Sequence, residues 1–192
     1  PASLRPPNAE DGYALHQLIA RCPPLDCNSV YCNLLHCSDF ADTAIAAENA
    51  EGQLVGFISG YRPPSRPDTL FVWQVAVDPS QRGQGVALRM LLTLTERLAA
   101  QGVRYLETTI SPDNAASQAL FKKAFARLHI NFDTRTLFSR AEHFAGLGMN
   151  RYQRDRARVV QLGQASDELV AEMLHRLEEA QAQVLIGHVG EE

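Results

Sequence analysis

Apolar residues recur at helical spacing near the start of the chain, at Leu15, Leu18 and Ile19. Asn8 and Asp11 stand just before this stripe, and side chains of their kind accept hydrogen bonds from the first amides of a helix. The pattern predicts a helix over about 9–21. Pro23 and Pro24 end it, because proline cannot continue a helix.

The next segments also have the spacing of regular elements. A shorter helix is predicted over about 28–38, and we expect its inward face to carry three apolar residues: Val30, Leu34 and Leu35. Strands are predicted at 42–48 and 53–61, because the turn signal Asn49-Ala50-Glu51-Gly52 separates two apolar runs.

The second half of the chain alternates strands and helices. A strand predicted at 70–77 leads into a glycine-punctuated turn, and 86–100 has a helical pattern. A strand at about 103–110 follows, and then a helix to about 126 that Ser111 caps and Pro112 begins. This order implies a central sheet with helices packed on it.

The end of the chain has a different character. Residues 146–164 are polar and basic, whereas 166–182 is predicted to form an amphipathic helix capped by Ser166. Its apolar stripe consists of Leu169, Val170, Met173, Leu174 and Leu177. We therefore divide the chain into a domain at 1–146 and a C-terminal extension at 147–192.

The composition is typical of a globular protein. Of 192 residues, 45% are apolar and 21% charged, which is enough for one domain with a substantial core. The net charge of −4 argues against a nucleic-acid-binding surface, and we expect the arginines at 151–158 to be solvated. No apolar run approaches the roughly 20 residues of a membrane span, and the first residues lack a secretory-signal layout. We expect a cytoplasmic protein with no nucleic-acid or membrane partner.

Four evenly spaced cysteines raise the question of a metal site: Cys22, Cys27, Cys32 and Cys37. Zinc and cluster sites usually present their thiolates in pairs that lie two residues apart. A five-residue step along a helix turns the side chain by about 140°, so these thiolates would not converge. We expect reduced, partly buried cysteines and no metal.

Candidate chemistry lies in the glycine turn between the strand at 70–77 and the helix at 86–100. The free amides and dipole of a helix N-terminus favour an anion, and Gly83 and Gly85 let the backbone approach it without a Cβ. The turn lacks the third glycine of a dinucleotide fingerprint and the Gly-Lys-Ser/Thr of a nucleotide-triphosphate loop. The expected ligand is another phosphate-bearing cofactor.

The pattern Gln/Arg-x-x-Gly-x-Gly/Ala after a Val-x-Val-Asp-Pro strand end resembles the pyrophosphate loop of the GNAT superfamily of acetyl-CoA-dependent N-acetyltransferases. Residues further on match the superfamily's "N..A..LY" motif: Asn114, Ala116, Ser117, Ala119, Leu120 and Phe121. The resemblance spans about 3–132 and implies an α/β (α+β) fold with a mixed, mostly antiparallel sheet flanked by helices. It also implies acetyl-CoA as co-substrate, in a pocket where the strands at 70–77 and 103–110 splay.

The same resemblance implies which residues bind the cofactor. Backbone amides of the turn would hold the pyrophosphate: Arg82, Gly83, Gln84, Gly85, Val86 and Ala87. Amides near Val75 and Val77 would pair with pantetheine and polarise the acetyl carbonyl. Asn114 and Ser117 share a helical face and would face the cofactor, although Asn114 could instead only cap its helix. Many members carry a tyrosine where this chain has Phe121, which cannot donate a proton to the leaving thiolate.

Three segments resemble a narrower family, the L-2,4-diaminobutyrate N-acetyltransferases of ectoine biosynthesis: CPPLDCNSVYCNLL, VGFISGYRPPSRPDTLFVWQVAV and RYLETTISPDNAAS. This implies acetyl transfer to the 4-amino group of L-2,4-diaminobutyrate by direct attack in a ternary complex. Another small amine or amino acid is the alternative substrate. The alternative from another class is a non-catalytic binding module, either a cysteine-liganded metal protein or an acyl-CoA sensor with a basic interaction tail. We expect a homodimer by analogy with the superfamily.

The attacking amine resembles that of lysine, with a pKa of about 10.4, so it needs a base such as a carboxylate. Asp26 is the first candidate and Glu107 the second, although Asp26 could be a turn residue and Glu107 a structural carboxylate. Gln74, on the strand where some members carry a glutamate base, cannot serve. Tyr31 is expected to bind substrate or protonate the thiolate, a task that another group or water could also perform. Trp73 is expected to form a wall against the substrate's aliphatic chain, and both aromatics could instead pack in the core.

Recognition of the substrate's charged ends leaves weaker candidates. Arg62 or Arg66 could bind its carboxylate. In the family a His-Phe run precedes an acidic, histidine-rich segment that helps to close the pocket. His143 and Phe144 match its start, but the sequence that follows, with no acid before Asp155, does not.

Overall fold

A computed structural model describes residues 1–111, 114–135, 137–138, 140–143 and 157–158. The first helix, α1 (Gly12–Ala20), follows a single 3-10 turn at Ala9–Asp11. Asn8 and Asp11 form a reciprocal capping box, in which each side chain accepts a hydrogen bond from the other end of the turn. The predicted first helix and its cap are confirmed.

The other elements follow the predicted order. The helices are α2 (Val30–Cys37), α3 (Val86–Ala99), α4 (Ala115–Arg127) and α5 (Arg140–His143). The strands are β1 (Ser3–Arg5), β2 (Ile45–Glu48), β3 (Leu54–Tyr61), β4 (Thr69–Val77), β5 (Tyr105–Ile110) and β6 (Ala157–Arg158). The predicted strands are confirmed to within a few residues, but β1 was missed because three residues are too few for a visible alternation.

The strands form one sheet in the order β1-β2-β3-β4-β5-β6. Neighbouring strands from β1 to β4 are antiparallel, β4 and β5 are parallel, and β5 and β6 are antiparallel. The parallel pair is connected through α3, as a parallel pair requires a crossover. The predicted mixed, mostly antiparallel sheet is confirmed.

The parallel pair separates half-way along β4. Pairing with β5 ends where Val72 faces Thr108, and residues 73–77 of β4 extend past that point. The carboxyl ends of two parallel strands therefore open a gap at one side of the sheet.

A bulge lies where the separation begins. Opposite β3, Val72 faces Gly60 and Gln74 faces Ser59, so Trp73 is the extra residue. A bulge bends its strand and redirects the side chains beyond it. The simple alternation expected along this strand is therefore broken at Trp73.

Apolar clusters cover both faces of the sheet. On one face α1 packs through residues that include Leu15, Leu18, Ile19, Phe57 and Ala76. On the other, α3 and α4 pack through residues that include Met90, Leu94, Ile58, Leu106 and Phe125. The parallel pair thus lies between α1, which precedes it in the chain, and the two helices that come after its strands, α3 after β4 and α4 after β5.

The expected inward face of α2 was wrong. Val30 and Leu34 are 37% and 36% exposed, whereas Asn33, His36 and Cys37 are buried. Asn33 can be buried because its side chain finds hydrogen-bond partners within the fold. A buried amide looks like a surface residue in sequence, so the pattern alone favoured the wrong face.

The expected start of α4 was also wrong. The helix begins at Ala115 rather than Ser111, and Asn114 is its cap, accepting a hydrogen bond from the Ser117 amide at 3.0 Å. Ser111 is buried directly after β5. Asparagine and serine cap helices about equally well, so the sequence does not decide between them.

The predicted helix at 166–182 lies outside the described residues, as do the expected boundary at residue 146 and most of the basic segment 146–164. Within that segment, β6 pairs with Thr109 and Ile110 of β5. Among the helices that the structure describes, none is long and apolar enough to cross a membrane.

Candidate active site

A cleft opens where β4 and β5 separate, with a volume of about 810 Å³ that includes space open to solvent. Its walls come from the loop after α1, the bulged part of β4, the end of β5 and the first turns of α4. The predicted location of the pocket is confirmed. The strands of a parallel pair that diverge leave a gap that their own side chains do not fill.

The edge of β4 in the cleft presents backbone amides. The Asp78 amide donates to the Val55 carbonyl at 2.8 Å, and the Gln74 amide also points towards β3. Because N–H directions alternate along a strand, the amides of Val75 and Val77 point to the opposite edge, past the end of the β5 pairing. They are the donors that this part of the cleft offers.

The glycine turn leads directly into α3. Gly83 and Gly85 have φ angles of 77° and 74°, a region that residues with a Cβ seldom adopt. Gly85 is the N-cap and has no side chain with which to occupy the first amides of the helix. The Arg82 amide donates to Pro79 at 3.4 Å, so the amides available to an anion begin at Gly83.

The first two turns of α4 form another wall of the cleft. Asn114, Ser117 and Phe121 all line it. The Asn114 side-chain oxygen caps α4, as the alternative interpretation of this residue expected. Phe121 is buried against Phe125 and brings no hydroxyl group into the cleft.

Asp26 lines the cleft from the loop after α1. It is half-buried, and its backbone carbonyl accepts a hydrogen bond from the Gln74 side chain at 2.9 Å. A carboxylate at this position can be reached from the cleft and also from solvent. These properties suit a group that accepts a proton directly or through water.

Glu107 does not line the cleft, whereas the next two residues of β5, Thr108 and Thr109, do. Glu107 is only 3% exposed, and its Oε2 accepts a hydrogen bond from Nη2 of Arg66 at 2.9 Å. The structure thus commits Arg66 to a buried carboxylate. Arg62 instead donates to the Pro67 carbonyl and to Gln101.

Trp73 is 43% exposed and lines the cleft, so it does not pack in the core. Its ring makes an edge contact with His36, with the ring centroids 4.6 Å apart. Burial lowers the pKa of His36, which keeps that ring neutral. Tyr31 is 69% exposed on α2.

All four cysteines are free thiols, and they differ in how far they are buried. Cys22 and Cys37 are buried and Cys27 is exposed. Burial raises the pKa of Cys37 to about 12, while the Cys22 thiol donates to the Val77 carbonyl at 3.3 Å. Over the part of the chain that the structure describes, no three histidine, cysteine or acidic side chains are grouped as metal ligands.

Comparison with known proteins connects this cleft to a family. The family model of the GNAT acetyltransferases matches residues 13–126. The chain belongs to the GNAT acetyltransferase family. As a GNAT protein it is an acyltransferase, and acetyl-CoA is its co-substrate.

Two curated relatives define the narrower group. The L-2,4-diaminobutyric acid acetyltransferase of Methylotuvimicrobium alcaliphilum is 51% identical over 143 residues, which are 74% of this chain and 83% of the relative. The protein of the same name from Vibrio parahaemolyticus is 49% identical over 74% of this chain and 78% of its own. Within the GNAT family, the chain belongs with the diaminobutyric acid acetyltransferases.

Solved structures agree with this assignment. The diaminobutyrate acetyltransferase EctA from Paenibacillus lautus, in complex with L-2,4-diaminobutyric acid and coenzyme A, is 40% identical with a TM-score of 0.75. The match covers 84% of this chain and 95% of that one. The ribosomal-protein-S18-alanine N-acetyltransferase of Escherichia coli has a TM-score of 0.57 over 83% of this chain and 92% of its own, and at 18% identity it shows the GNAT fold alone.

Sequence reasoning missed the part that Gln74 plays in this site. It was considered only as a base and set aside, yet its side chain joins β4 to the loop that carries Asp26. One signal was available: a polar residue within an apolar strand needs hydrogen-bond partners if it is buried.

Proposed function

We propose that this enzyme transfers the acetyl group of acetyl-CoA to the 4-amino group of L-2,4-diaminobutyrate. The products are N4-acetyl-L-2,4-diaminobutyrate and coenzyme A, a step of ectoine biosynthesis. The observation that carries the proposal is a cleft whose lining combines the donor edge of β4 with a carboxylate, Asp26. The likeness to EctA from Paenibacillus lautus, solved in complex with L-2,4-diaminobutyric acid and coenzyme A, supports the proposal.

The cofactor is proposed to lie along the gap between β4 and β5. Amides from Gly83 to Ala87 are proposed to bind its pyrophosphate, since the N-cap Gly85 makes no side-chain cap and the uncapped N–H groups of a helix N-terminus favour an anion. The amides of Val75 and Val77 would pair with the pantetheine arm and polarise the acetyl carbonyl as negative charge develops on its oxygen. Ser117 would contact the cofactor from the α4 side.

Asp26 is proposed as the base that removes a proton from the 4-ammonium group. It lines the cleft, and no ion pair to it is found among the residues that the structure describes, whereas Glu107 is buried and bonded to Arg66. Glu107 is proposed as the alternative base or as a charge beside the substrate. Trp73 would flank the short aliphatic chain, and Tyr31 would bind the substrate from α2.

The proton for the leaving thiolate needs a source other than Phe121, which is a hydrocarbon side chain. Tyr31, another group or water is proposed to supply it. The cleft is open to solvent, and this supports water as the simplest source. Because the substrate amine is itself the nucleophile, no acetyl-enzyme is required, and an acetyl group trapped on Cys27 at a competent rate would overturn direct attack.

The enzyme is proposed to act in the cytoplasm and as a homodimer. Free cysteines and the use of acetyl-CoA support the first statement, and analogy within the superfamily supports the second. The mass of the purified protein in solution, measured by light scattering, tests the dimer.

The experiment that tests the activity follows coenzyme A release with acetyl-CoA and L-2,4-diaminobutyrate, and then locates the acetyl group by NMR. We expect acetylation of the 4-amino nitrogen, with a kcat/KM well above those for ornithine and lysine. A better turnover of another small amine would instead identify this chain as a GNAT enzyme of different specificity.

A further inference from the structure

The loop that carries Asp26, residues 24–28, is tied to the sheet by side-chain amides. It follows α1 and forms one wall of the cleft through Pro24, Leu25 and Asp26. Its position relative to the bulged part of β4 determines where the Asp26 carboxylate stands. The contacts that set this position therefore affect the proposed proton transfer.

Gln74 makes two of these contacts with one side chain. Its Nε2 donates to the backbone carbonyl of Asp26 at 2.9 Å, and its Oε1 accepts from Nδ2 of Asn28 at 2.8 Å. The Gln74 amide also donates to Oγ of Ser59 on the neighbouring strand, at 3.2 Å. Gln74 thus forms hydrogen bonds to the loop on both sides of Cys27.

The contacts continue from the loop into the helices. Nδ2 of Asn28 also approaches Oδ1 of Asn33 at 3.3 Å, and Asn33 is fully buried on α2. Nδ2 of Asn33 lies 3.4 Å from Nδ1 of His16 on α1. The loop is therefore held from β4, α1 and α2 together.

The pattern of donors and acceptors fixes the orientation of the Gln74 amide. A carbonyl faces its nitrogen, and an NH₂ group faces its oxygen. If the amide were flipped, the Gln74 oxygen would face the Asp26 carbonyl oxygen and its NH₂ group would face the NH₂ group of Asn28. Neither pair can form a hydrogen bond. A glutamate, which has the same shape, would place an oxygen opposite the Asp26 carbonyl.

We propose that Gln74 is a positioning residue that holds the Asp26 carboxylate at the reacting amine, and so selects the distance at which the substrate is deprotonated. The inference rests on the proposed function, in which Asp26 is the base. Gln74 stands one residue after the bulge, so the same strand segment carries the amides proposed to bind the acetyl carbonyl and the side chain that holds the loop of Asp26. The register of β4 couples these two tasks.

The test compares Gln74→Met, which removes both hydrogen bonds, with Gln74→Glu, which reverses only the one to Asp26. We expect each to raise the KM for diaminobutyrate or lower kcat by at least tenfold. The KM for acetyl-CoA should change by less than twofold, because the amides of Val75 and Val77 stay in place. Gln53→Met, at an exposed turn away from the cleft, is the matched control.

Two further readouts separate positioning from a general loss of structure. In a protein that already carries Asp26→Asn, adding Gln74→Met should lower kcat/KM by less than a further twofold, since Gln74 acts through Asp26. Hydrogen exchange of the free protein should rise at the amides of residues 25–28 in Gln74→Met and not in Gln53→Met.

Equal increases in both KM values, multiplying effects in the double variant, or unchanged exchange at 25–28 would each overturn the inference. The exchange measurement needs no substrate, so it tests whether Gln74 fixes the loop even if the wild-type enzyme does not acetylate diaminobutyrate. Absence of that wild-type activity would count against the proposed function and not against the loop contacts.

Discussion

At the scale of single residues, the two proposed bases differ in what surrounds them. Asp26 is half-buried in the wall of the cleft, and Glu107 is buried with the Arg66 guanidinium against it. A carboxylate that is already paired with a cation is a poorer acceptor for a proton than one that faces the reacting group. The geometry therefore favours Asp26.

Asp26→Asn is expected to lower kcat/KM for diaminobutyrate by about a hundredfold or more, the usual contribution of a general base. Binding of acetyl-CoA, measured by calorimetry, should remain unchanged because the donor amides belong to other elements. Asp39→Asn, an exposed carboxylate after α2, is the control and should leave both quantities as they are. Wild-type rates in Asp26→Asn would transfer the role to Glu107.

The burial of His36 leads to a prediction about how the free energy of unfolding changes with pH. Burial lowers its pKa, so the unfolded chain binds a proton more readily than the folded one. Stability should therefore fall as the pH drops below about 6.5, the ordinary histidine pKa, and level off below the folded pKa. The Asp11 pKa is also lowered, because hydrogen bonds from Arg5 and Asn8 outweigh burial, but it acts in a more acidic window.

The measurement is urea unfolding at pH 7.5 and 5.0 in the wild type and in His36→Leu. Among the described residues, neither ring nitrogen of His36 has a hydrogen-bond partner, so the substitution breaks no hydrogen bond within that part of the chain. We expect a smaller difference between the two pH values in the variant. An equal difference would show that another group controls the acid limb.

At the scale of elements, the glycines of the turn before α3 serve two purposes. They permit a positive φ, and they place no Cβ in the way of an anion. A positive φ at Gly83 and Gly85 turns the chain into the start of α3, where the first amides have no partner within the helix. A Cβ at either position would meet no atom of the described residues within 4 Å apart from its chain neighbours, so a substitution acts through backbone strain and through the bound anion.

Gly83→Ala should therefore cost about 1 kcal/mol of folding free energy and also weaken acetyl-CoA binding by about tenfold or more. Gly52→Ala is a matched control, since Gly52 has a φ of +74° with equally open surroundings but lies in the turn between β2 and β3. The control should show the stability loss alone. Acetyl-CoA affinity that falls equally in both variants would contradict a specific role for the turn.

At the scale of the whole molecule, the cleft joins elements from both faces of the sheet. The loop after α1 belongs to one side, and α4 belongs to the other. The bound cofactor would contact the sheet edge, the start of α3 and α4 at once. Ligand binding and the stability of the domain should therefore be linked.

Coenzyme A at a hundred times its Kd is expected to raise the unfolding free energy by about 2.7 kcal/mol, if it binds only the folded chain. The check is urea unfolding with and without the ligand, alongside its Kd from calorimetry. A midpoint that does not move at saturating coenzyme A would mean that the unfolding unit excludes the cleft.

Local sequence determined most elements of this protein and the chemistry of its glycine turn. Capping residues, proline stops and apolar spacing act within a few positions, and so do the glycines that permit a positive φ. These interactions need no knowledge of distant residues. The resemblance added the cofactor and the substrate class.

Tertiary structure alone decided the bulge at Trp73, the buried polar face of α2 and the partners of the proposed bases. Arg66 and Glu107 are 41 positions apart, and Gln74 reaches the Asp26 carbonyl across 48. Such pairs form only after the sheet has brought distant segments together, and a polar residue carries no mark of which partner it will meet. That is why Asp26 could be proposed from the sequence. For Gln74 the sequence signalled only a need for hydrogen-bond partners, and the fold showed that these partners lie in the loop of Asp26.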